Sequence, residues 1–470
     1  MLPQCDCKFY VNKIYVDKII LKNMKGRELQ LKQLEERYDS GVFEFIPVFG
    51  RKRVGKTTLL KEFLKGRNGV YFSATKMPLQ MNASRLASRV FGTSTPLNMN
   101  LEDVLKEVAN RSKDERYVLI IDEYPKMLKR SPEVSDILQN FIDDIHEDSK
   151  LFLILCGSSV SMMKHEVMGY SSPIYGRRTG SLELLPLDLW DSMELLKGFG
   201  RDDALRIYGM VGGIPLYLKM LDPKESLKDN IARLFFQDMS FFRNEHEFVL
   251  LEEFETPYTY YGILEAIATG HTALNEIASY SSLNEATAHK HLSSLISTGL
   301  VSRRAPVDNP NGRKARYVID DNFMRFQFNR ILPNAEYYDE KVLESIMTGL
   351  DTDMGRIFER ICAEHLARLH HGEIGTWWGA DQDSRTQEEI DIVLTKRHDG
   401  IMEGWFAECK YTKDPVGPEV LAKLKHRAGL VKGYGRTHLV IYSKNGFKGD
   451  MGDEAELYDL DSILGMKDPE

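Results

Sequence analysis

The chain has 470 residues, 42% of them apolar and 28% charged, with a formal net charge of −8. Such a length calls for about two to four domains, and the composition excludes a disordered chain. The negative balance excludes a surface that is basic all over, so any nucleic-acid contact has to be a local patch.

Cys5 and Cys7 open the chain without the second half of a zinc site, and read as part of a solvated segment. With Cys156, Cys362 and Cys409 they make five scattered cysteines, too few and too uneven for a disulfide framework. No apolar run reaches the roughly 18 residues of a membrane span, and the start lacks the order of a signal peptide. The expectation is a cytoplasmic protein with no membrane partner.

Strand-like runs then alternate with helical ones: Val42 to Val48, Gly69 to Ala74, Tyr117 to Ile121, Leu151 to Cys156 and Ser181 to Leu185. In the intervening stretch from Val134, Ile137, Leu138, Phe141, Ile142 and Ile145 recur at helical spacing. Alternation of this kind predicts a parallel sheet covered on both faces, here a five-stranded P-loop core over residues 1–188.

The first strand runs into Gly50-Arg51-Lys52-Arg53-Val54-Gly55-Lys56-Thr57, a complete Walker A loop, with Thr58 after it among the expected nucleotide-binding residues. Glycines let successive N–H groups turn inward toward phosphates at the positive end of the helix. Lys56 is placed to reach the β- and γ-phosphates of ATP, and Thr57 to ligate Mg²⁺. Asp122 ends the apolar run Val118-Leu119-Ile120-Ile121, where the metal lies in open α/β sheets, and Glu123 follows as the base for the attacking water. Ser158 and Ser159 close the next strand, as a γ-phosphate sensor or as helix caps. Arg177 and Arg178 precede the fifth strand, as an arginine finger or as a surface pair.

Helical patterning over 189–250 predicts a lid. Residues 251–335 read as a winged helix-turn-helix, with helices at Tyr261 to Ala268, Ala273 to Ser279 and Asn284 to Thr298, and strands Leu300 to Ser302 and Arg316 to Ile319. Gly299 stops the third helix. Leu283, Leu292, Leu295 and Ile296 are expected in its core, with His289, Lys290 and His291 on the helix that would enter the major groove. Arg303, Arg304, Arg313, Lys314 and Arg316 concentrate charge in and beside the wing. A winged helix serves equally as a protein–protein module, so DNA is the expected partner with that alternative open.

A linker from Leu332 to Asp339 leads to a last α/β unit, 345–470. Glu359 lies on a helix from Met354 to Leu369; Glu389 to Leu394 and Trp405 to Lys410 read as strands joined at His398-Asp399-Gly400. Alternation puts Glu408 and Lys410 on one face, and a hairpin would bring Asp391 to the same end. Two acids holding Mg²⁺ beside a lysine are the groups of metal-assisted phosphodiester hydrolysis, with Glu359 as a further carboxylate. Alternating charge on an exposed strand is the plainer reading.

The segments GRKRVGKTTL, IIDEYPK, CGSSVSMM, YGRRTG and GGIPLYL resemble the archaeal-type P-loop ATPase family, relatives of AAA+ and STAND ATPases, and the likeness covers nearly the whole chain. It implies an additional-strand ATPase core, a lid opened by Gly213-Ile214-Pro215 near the adenine, and a role for Gly26-Arg27-Glu28. It further implies a winged helix and a C-terminal restriction-endonuclease-like domain similar to PD-(D/E)XK nucleases. Three functions compete: an ATP-driven DNA-binding protein with a metal-dependent nuclease, a nucleotide-switched DNA-binding regulator whose nuclease fold does not cut, and a STAND-like scaffold. Further copies of the same chain are a partner left open.

Overall fold

The apolar runs of the first third form β1 (Glu44–Phe49), β2 (Gly69–Ser73), β3 (Tyr117–Asp122), β4 (Leu151–Gly157) and β5 (Leu182–Glu183). Every residue of β1, β3 and β4 is buried, which is why these strands read as unbroken apolar runs. The pairings are all parallel, in the order β2-β3-β4-β1-β5. β4 therefore stands between the strand that feeds the phosphate loop and the strand that ends in Asp122. This is an α/β P-loop NTPase-like sheet with its additional strand. Phe45, Leu119, Leu153, Leu86 and Leu138 share one core between this sheet and its helices.

The computed structural model describes residues 25–310, 312, 315–336 and 338–466. Cys5, Cys7, Arg313 and Lys314 lie outside them. The described chain falls into two compact units. The first runs to Lys197 and also takes in Gly213–Leu221 and Glu247–Glu255; the second holds Gly198–Gly212, Asp222–His246 and everything from Thr256. The stretch expected as one lid over 189–250 is thus shared out. Long-range hydrogen bonds account for the second unit's share: Asn322 Nδ2 donates to Tyr208 O (2.8 Å), Arg325 Nη2 to Gly209 O (3.2 Å) and Gln327 Nε2 to Phe242 O (2.6 Å).

Within the second unit, helices Pro257–Ala268, Leu274–Tyr280 and Glu285–Ser297 precede an antiparallel hairpin of β6 (Val301–Arg304) and β7 (Arg316–Ile319). Asn284 starts the third helix by accepting from Thr287 N, and Gly299, at φ +74°, ends it while Leu300 N donates to Leu295 O. Leu292 and Leu295 are buried; Ile296, expected beside them, is 37% exposed.

The helix carrying Glu359 spans Glu340–His370, far longer than its sequence suggests. Asp339 caps it, and Leu343, Ile346 and Leu350 bury its first half. Gly349, a residue that usually weakens a helix, lies against Arg330, whose guanidinium donates to Gly349 O (3.0 Å) and pairs with Asp353 (2.7 Å). Beyond it, β8 (Glu373–Asp381), β9 (Thr386–His398), β10 (Ile401–Lys410), β11 (Arg436–Ser443) and β12 (Ala455–Asp459) form a mixed sheet. β8, β9 and β10 pair antiparallel, while β10, β11 and β12 pair parallel. Asp399 and Gly400, at φ +49° and +81°, make the tight turn between β9 and β10. No helix among the described residues is long and apolar enough to cross a membrane.

Candidate functional site

The loop after β1 is shaped by Gly50 (φ +150°), Arg53 (+73°) and Gly55 (+102°). A β-carbon at Gly50 would come 2.2 Å from Leu184 O, so only glycine fits there. Lys56 opens the helix Lys56–Leu64, is buried, and hydrogen-bonds Gly50 O (2.6 Å) and Arg51 O (2.9 Å). Burial lowers the pKa of its ammonium by more than the nearby acids Glu123, Asp122 and Glu252 raise it, so the site is short of direct countercharge. An anionic phosphate would supply it, so the loop fits a nucleotide. Thr57 and Thr58, both exposed, follow at the helix start.

Asp122 accepts hydrogen bonds from Thr57 Oγ1 (3.0 Å), from the Tyr71 hydroxyl and from Glu123 N (2.9 Å). Burial pushes Asp122 upward, but bonds from Tyr71, Cys156 and Thr57 outweigh it and leave the pKa below the ordinary value. Asp122 is therefore a carboxylate in place beside Thr57, the pair expected to hold Mg²⁺. Glu123 stands at φ +57°, an unfavourable conformation for a residue with a β-carbon.

Ser159 is the cap, accepting from Met162 N, whereas Ser158 Oγ lies 3.0 and 3.1 Å from the oxygens of Glu123. A second acid is also there: Ser158 Oγ is 2.6 Å from Glu252 Oε1, and Glu252 Oε2 is 3.3 Å from Lys52 Nζ. A hydroxyl has one proton to donate, so Ser158 serves Glu123 or Glu252, not both at once. Glu253, at the end of the same helix Glu245–Glu253, secures it by accepting from Val160 N (3.0 Å) and Ser161 N (3.2 Å). Sequence reasoning missed Glu252; a doubled acid in a helix gives no local sign of a partner elsewhere.

Arg27 is buried and donates to Val54 O (3.0 Å) and Leu185 O (2.6 Å), so the early Gly-Arg-Glu segment braces the phosphate loop. Leu187 N donates to Gly213 O (2.7 Å), and Pro215 starts the helix Pro215–Met220. Arg53 lies over the Tyr217 ring, 5.9 Å from its centroid. Arg177 is engaged elsewhere, in a two-pronged pair with Asp143 (2.6 and 2.7 Å).

In the C-terminal sheet, Ala407 pairs with Ile392, and Cys409 N donates to Asp391 Oδ2 (2.8 Å). Asp391, Glu408 and Lys410 thus converge as their spacing predicts. Lys410 Nζ is 2.6 Å from Glu408 Oε1 and Arg427 Nη1 is 3.0 Å from Glu408 Oε2. Burial, and then the charge of Glu408, push the Asp391 pKa up to about 7. A carboxylate destabilised by a second one suits a divalent cation, which would relieve both. Glu359 is near enough to add to that repulsion, yet among the described residues no three His, Cys, Asp or Glu side chains gather as a metal cluster. The three-carboxylate set of Asp391, Glu408 and Glu359 is not assembled in this arrangement.

Residues 25–221 match the model of an ATPase domain predominantly from Archaea. An uncharacterized protein of Methanocaldococcus jannaschii is 33% identical over 418 residues, covering 86% of this chain and 92% of its own. The chain belongs to this archaeal ATPase family. Residues 262–305 of the archaeal ATPase match an IclR helix-turn-helix domain, and 323–425 match archaeal and bacterial proteins of unknown function. The Walker-type ATPase of Pyrococcus abyssi shares the fold with a TM-score of 0.51 at 20% identity, covering 65% of this chain and 96% of the other.

On the helix-turn-helix of this ATPase, His289 and Lys290 are exposed, while His291 turns against Tyr260 (ring centroids 4.8 Å apart). Arg303 donates to Pro310 O and Gly312 O and so braces the wing. Arg316 lies over the Trp378 ring at 4.7 Å and Arg304 is 3.5 Å from Asp320. The wing is fastened to the edge of the C-terminal sheet: Val307 N donates to Thr376 O (3.0 Å) and Trp377 Nε1 to Asp308 (2.8 Å). Among the described residues, Arg303, Arg304 and Arg316 each have a different neighbour, and so are not simply one unpartnered basic patch.

Proposed function

We propose that this archaeal ATPase hydrolyses ATP at Lys56, Thr57, Asp122 and Glu123 and couples the cycle to DNA held by its winged helix. The observation that carries the reading is the convergence of Thr57 on Asp122 and of Ser158 on Glu123 beside a buried Lys56 whose hydrogen bonds go to main-chain carbonyls. Lys56 and the loop amides of Arg51 to Gly55 bind the phosphates, while Thr57 and Asp122 would hold Mg²⁺, which neutralises phosphate charge. Glu123 takes the proton of the attacking water, and Ser158 orients that carboxylate. Lys290, Arg303, Arg304, Arg313, Lys314 and Arg316 are the proposed nucleic-acid contacts. Arg177 serves as a finger toward a second copy once Asp143 releases it.

The C-terminal unit reads as a restriction-endonuclease-like module in which Asp391 and Glu408 would hold a divalent cation and Lys410 would neutralise phosphate charge. The closure of Glu408 by Lys410 and Arg427 favours the second reading, a nucleotide-switched regulator that does not cut. Supercoiled plasmid incubated with Mg²⁺ or Mn²⁺, with and without ATP, separates them. Nicking by the wild type that disappears in Asp391→Ala, with ATP turnover kept, would establish the nuclease; uncut plasmid under every condition leaves the regulator.

A further inference from the structure

The fastening of the wing to β8 encloses two adjoining cavities, of about 640 and 510 Å³, that share Arg304, Glu359, Arg360, Thr376 and Asp391. The larger is lined by five arginines against three carboxylates, an excess of positive charge in a chain whose net charge is −8. Two of the arginines are committed: Arg325 to Gly209 O and Asn322, and Arg360 to Asp320 and Glu364. The others are available to a ligand. Arg356 is exposed and has no ion-pair partner among the described residues, Arg316 is steadied only by the face of Trp378, and Arg304 reaches Asp320 at no closer than 3.5 Å. On the same wall the buried Asn329 Oδ1 accepts no hydrogen bond from the described residues.

Three carboxylates line the same cavity. Glu389 and Asp391 alternate along β9 and share a face, and Glu359 reaches them from the long helix. Partial burial raises the pKa of half-buried Glu359, and the charges of Arg304 and Arg356 oppose that rise, which places those guanidinium groups beside the acids. Volumes of this order suit about one small ligand each, far less than the width of a duplex. Two cavities meeting at Asp391 suit a chain of phosphates passing through.

We propose that this cleft takes an unpaired nucleic-acid strand, with Arg304, Arg316 and Arg356 on its phosphates and the strand running past Asp391 and Glu359. The inference rests on the nuclease-module reading of Asp391, but binding and cutting are measured separately. The wing then serves as one wall of a strand-holding cleft and is not confined to gripping a duplex from outside. Guanidinium groups suit the task, since each presents paired donors to a phosphate at fixed geometry.

The test is anisotropy of fluorescein-labelled oligo(dT) and oligo(U) with the full chain in EDTA, where no cutting can occur. Arg316→Ala with Arg356→Ala is expected to weaken binding about tenfold or more, and to lower the log–log salt slope by about 1.4, the value for two lost single-strand contacts. Arg316→Lys with Arg356→Lys should restore most of the slope, which a misfolded protein would not do. Lys32→Ala with Lys106→Ala removes the same charge from the first unit and should leave binding unchanged. Tighter binding of one oligonucleotide identifies DNA or RNA as the source of the strand. Unchanged affinity and slope in the alanine pair, an equal loss in the Lys32 and Lys106 control, or no binding by the wild type overturns the proposal. Binding with this pattern but no cleavage in Mg²⁺ or Mn²⁺ keeps the cleft and removes the nuclease reading alone.

Discussion

Glu123→Gln is expected to bind ATP with near wild-type affinity and to turn it over about 10²–10⁴-fold more slowly, the usual contribution of a positioned general base. The amide keeps the shape of the side chain and can still meet Ser158 Oγ, now 3.0 Å from a carboxylate oxygen. It cannot accept a proton from water. Asp122 and Thr57 are untouched, so the ground-state contacts with nucleotide and metal should persist. Rapid-quench turnover and equilibrium binding, measured on the same preparation, separate the two effects. Wild-type turnover in the variant would move the base elsewhere.

Glu252→Ala is expected to tighten ATP binding by about tenfold to a hundredfold. Glu252 holds both Ser158 (2.6 Å) and the loop residue Lys52 (3.3 Å), placing a negative charge between the phosphate loop and Ser158. Burial works against that charge, but the Ser158 bond and Lys52 keep its pKa below the ordinary value, so it is ionised at neutral pH. Incoming phosphates must break these contacts, and a hydrogen bond to a charged group is worth about 1.5–3 kcal/mol. At about 1.4 kcal/mol per tenfold, losing that competition gives the stated range. Glu252→Gln should lie between the two, since it keeps a bond and drops the charge. Equal ATP affinity in all three proteins would show that Glu252 does not oppose nucleotide.

The phosphate loop was legible because its work needs contiguous residues: Gly50 and Gly55 for the turn, then Lys56 and Thr57 at the helix start. Asp122 was legible because a buried strand ending in two acids has few other uses. The hairpin that joins Asp391 to Glu408 was legible from Asp399-Gly400 and from alternation. Glu252 was not, since it meets Ser158 across 94 residues and its neighbours read as an ordinary helix. The wing's attachment was hidden for the same reason, being a main-chain bond between Val307 and Thr376 that no side-chain pattern announces. Sharing of the lid segment turns on Asn322, Arg325 and Gln327, polar residues whose distant main-chain partners leave no periodicity. The long helix was underestimated because Gly349 reads locally as a break, while Arg330 offsets its cost only in the folded chain.

Calorimetric titration of ATP into the wild type and into Lys56→Ala, each with Mg²⁺ and each checked for native helicity, tests the central claim most directly. Lys56 is the buried cation whose hydrogen-bond partners are carbonyls and whose burial outweighs the charge of the nearby acids, a deficit a phosphate would make up. The account predicts saturable binding by the wild type and no measurable heat from the folded variant. Equal affinity in the two proteins would contradict it.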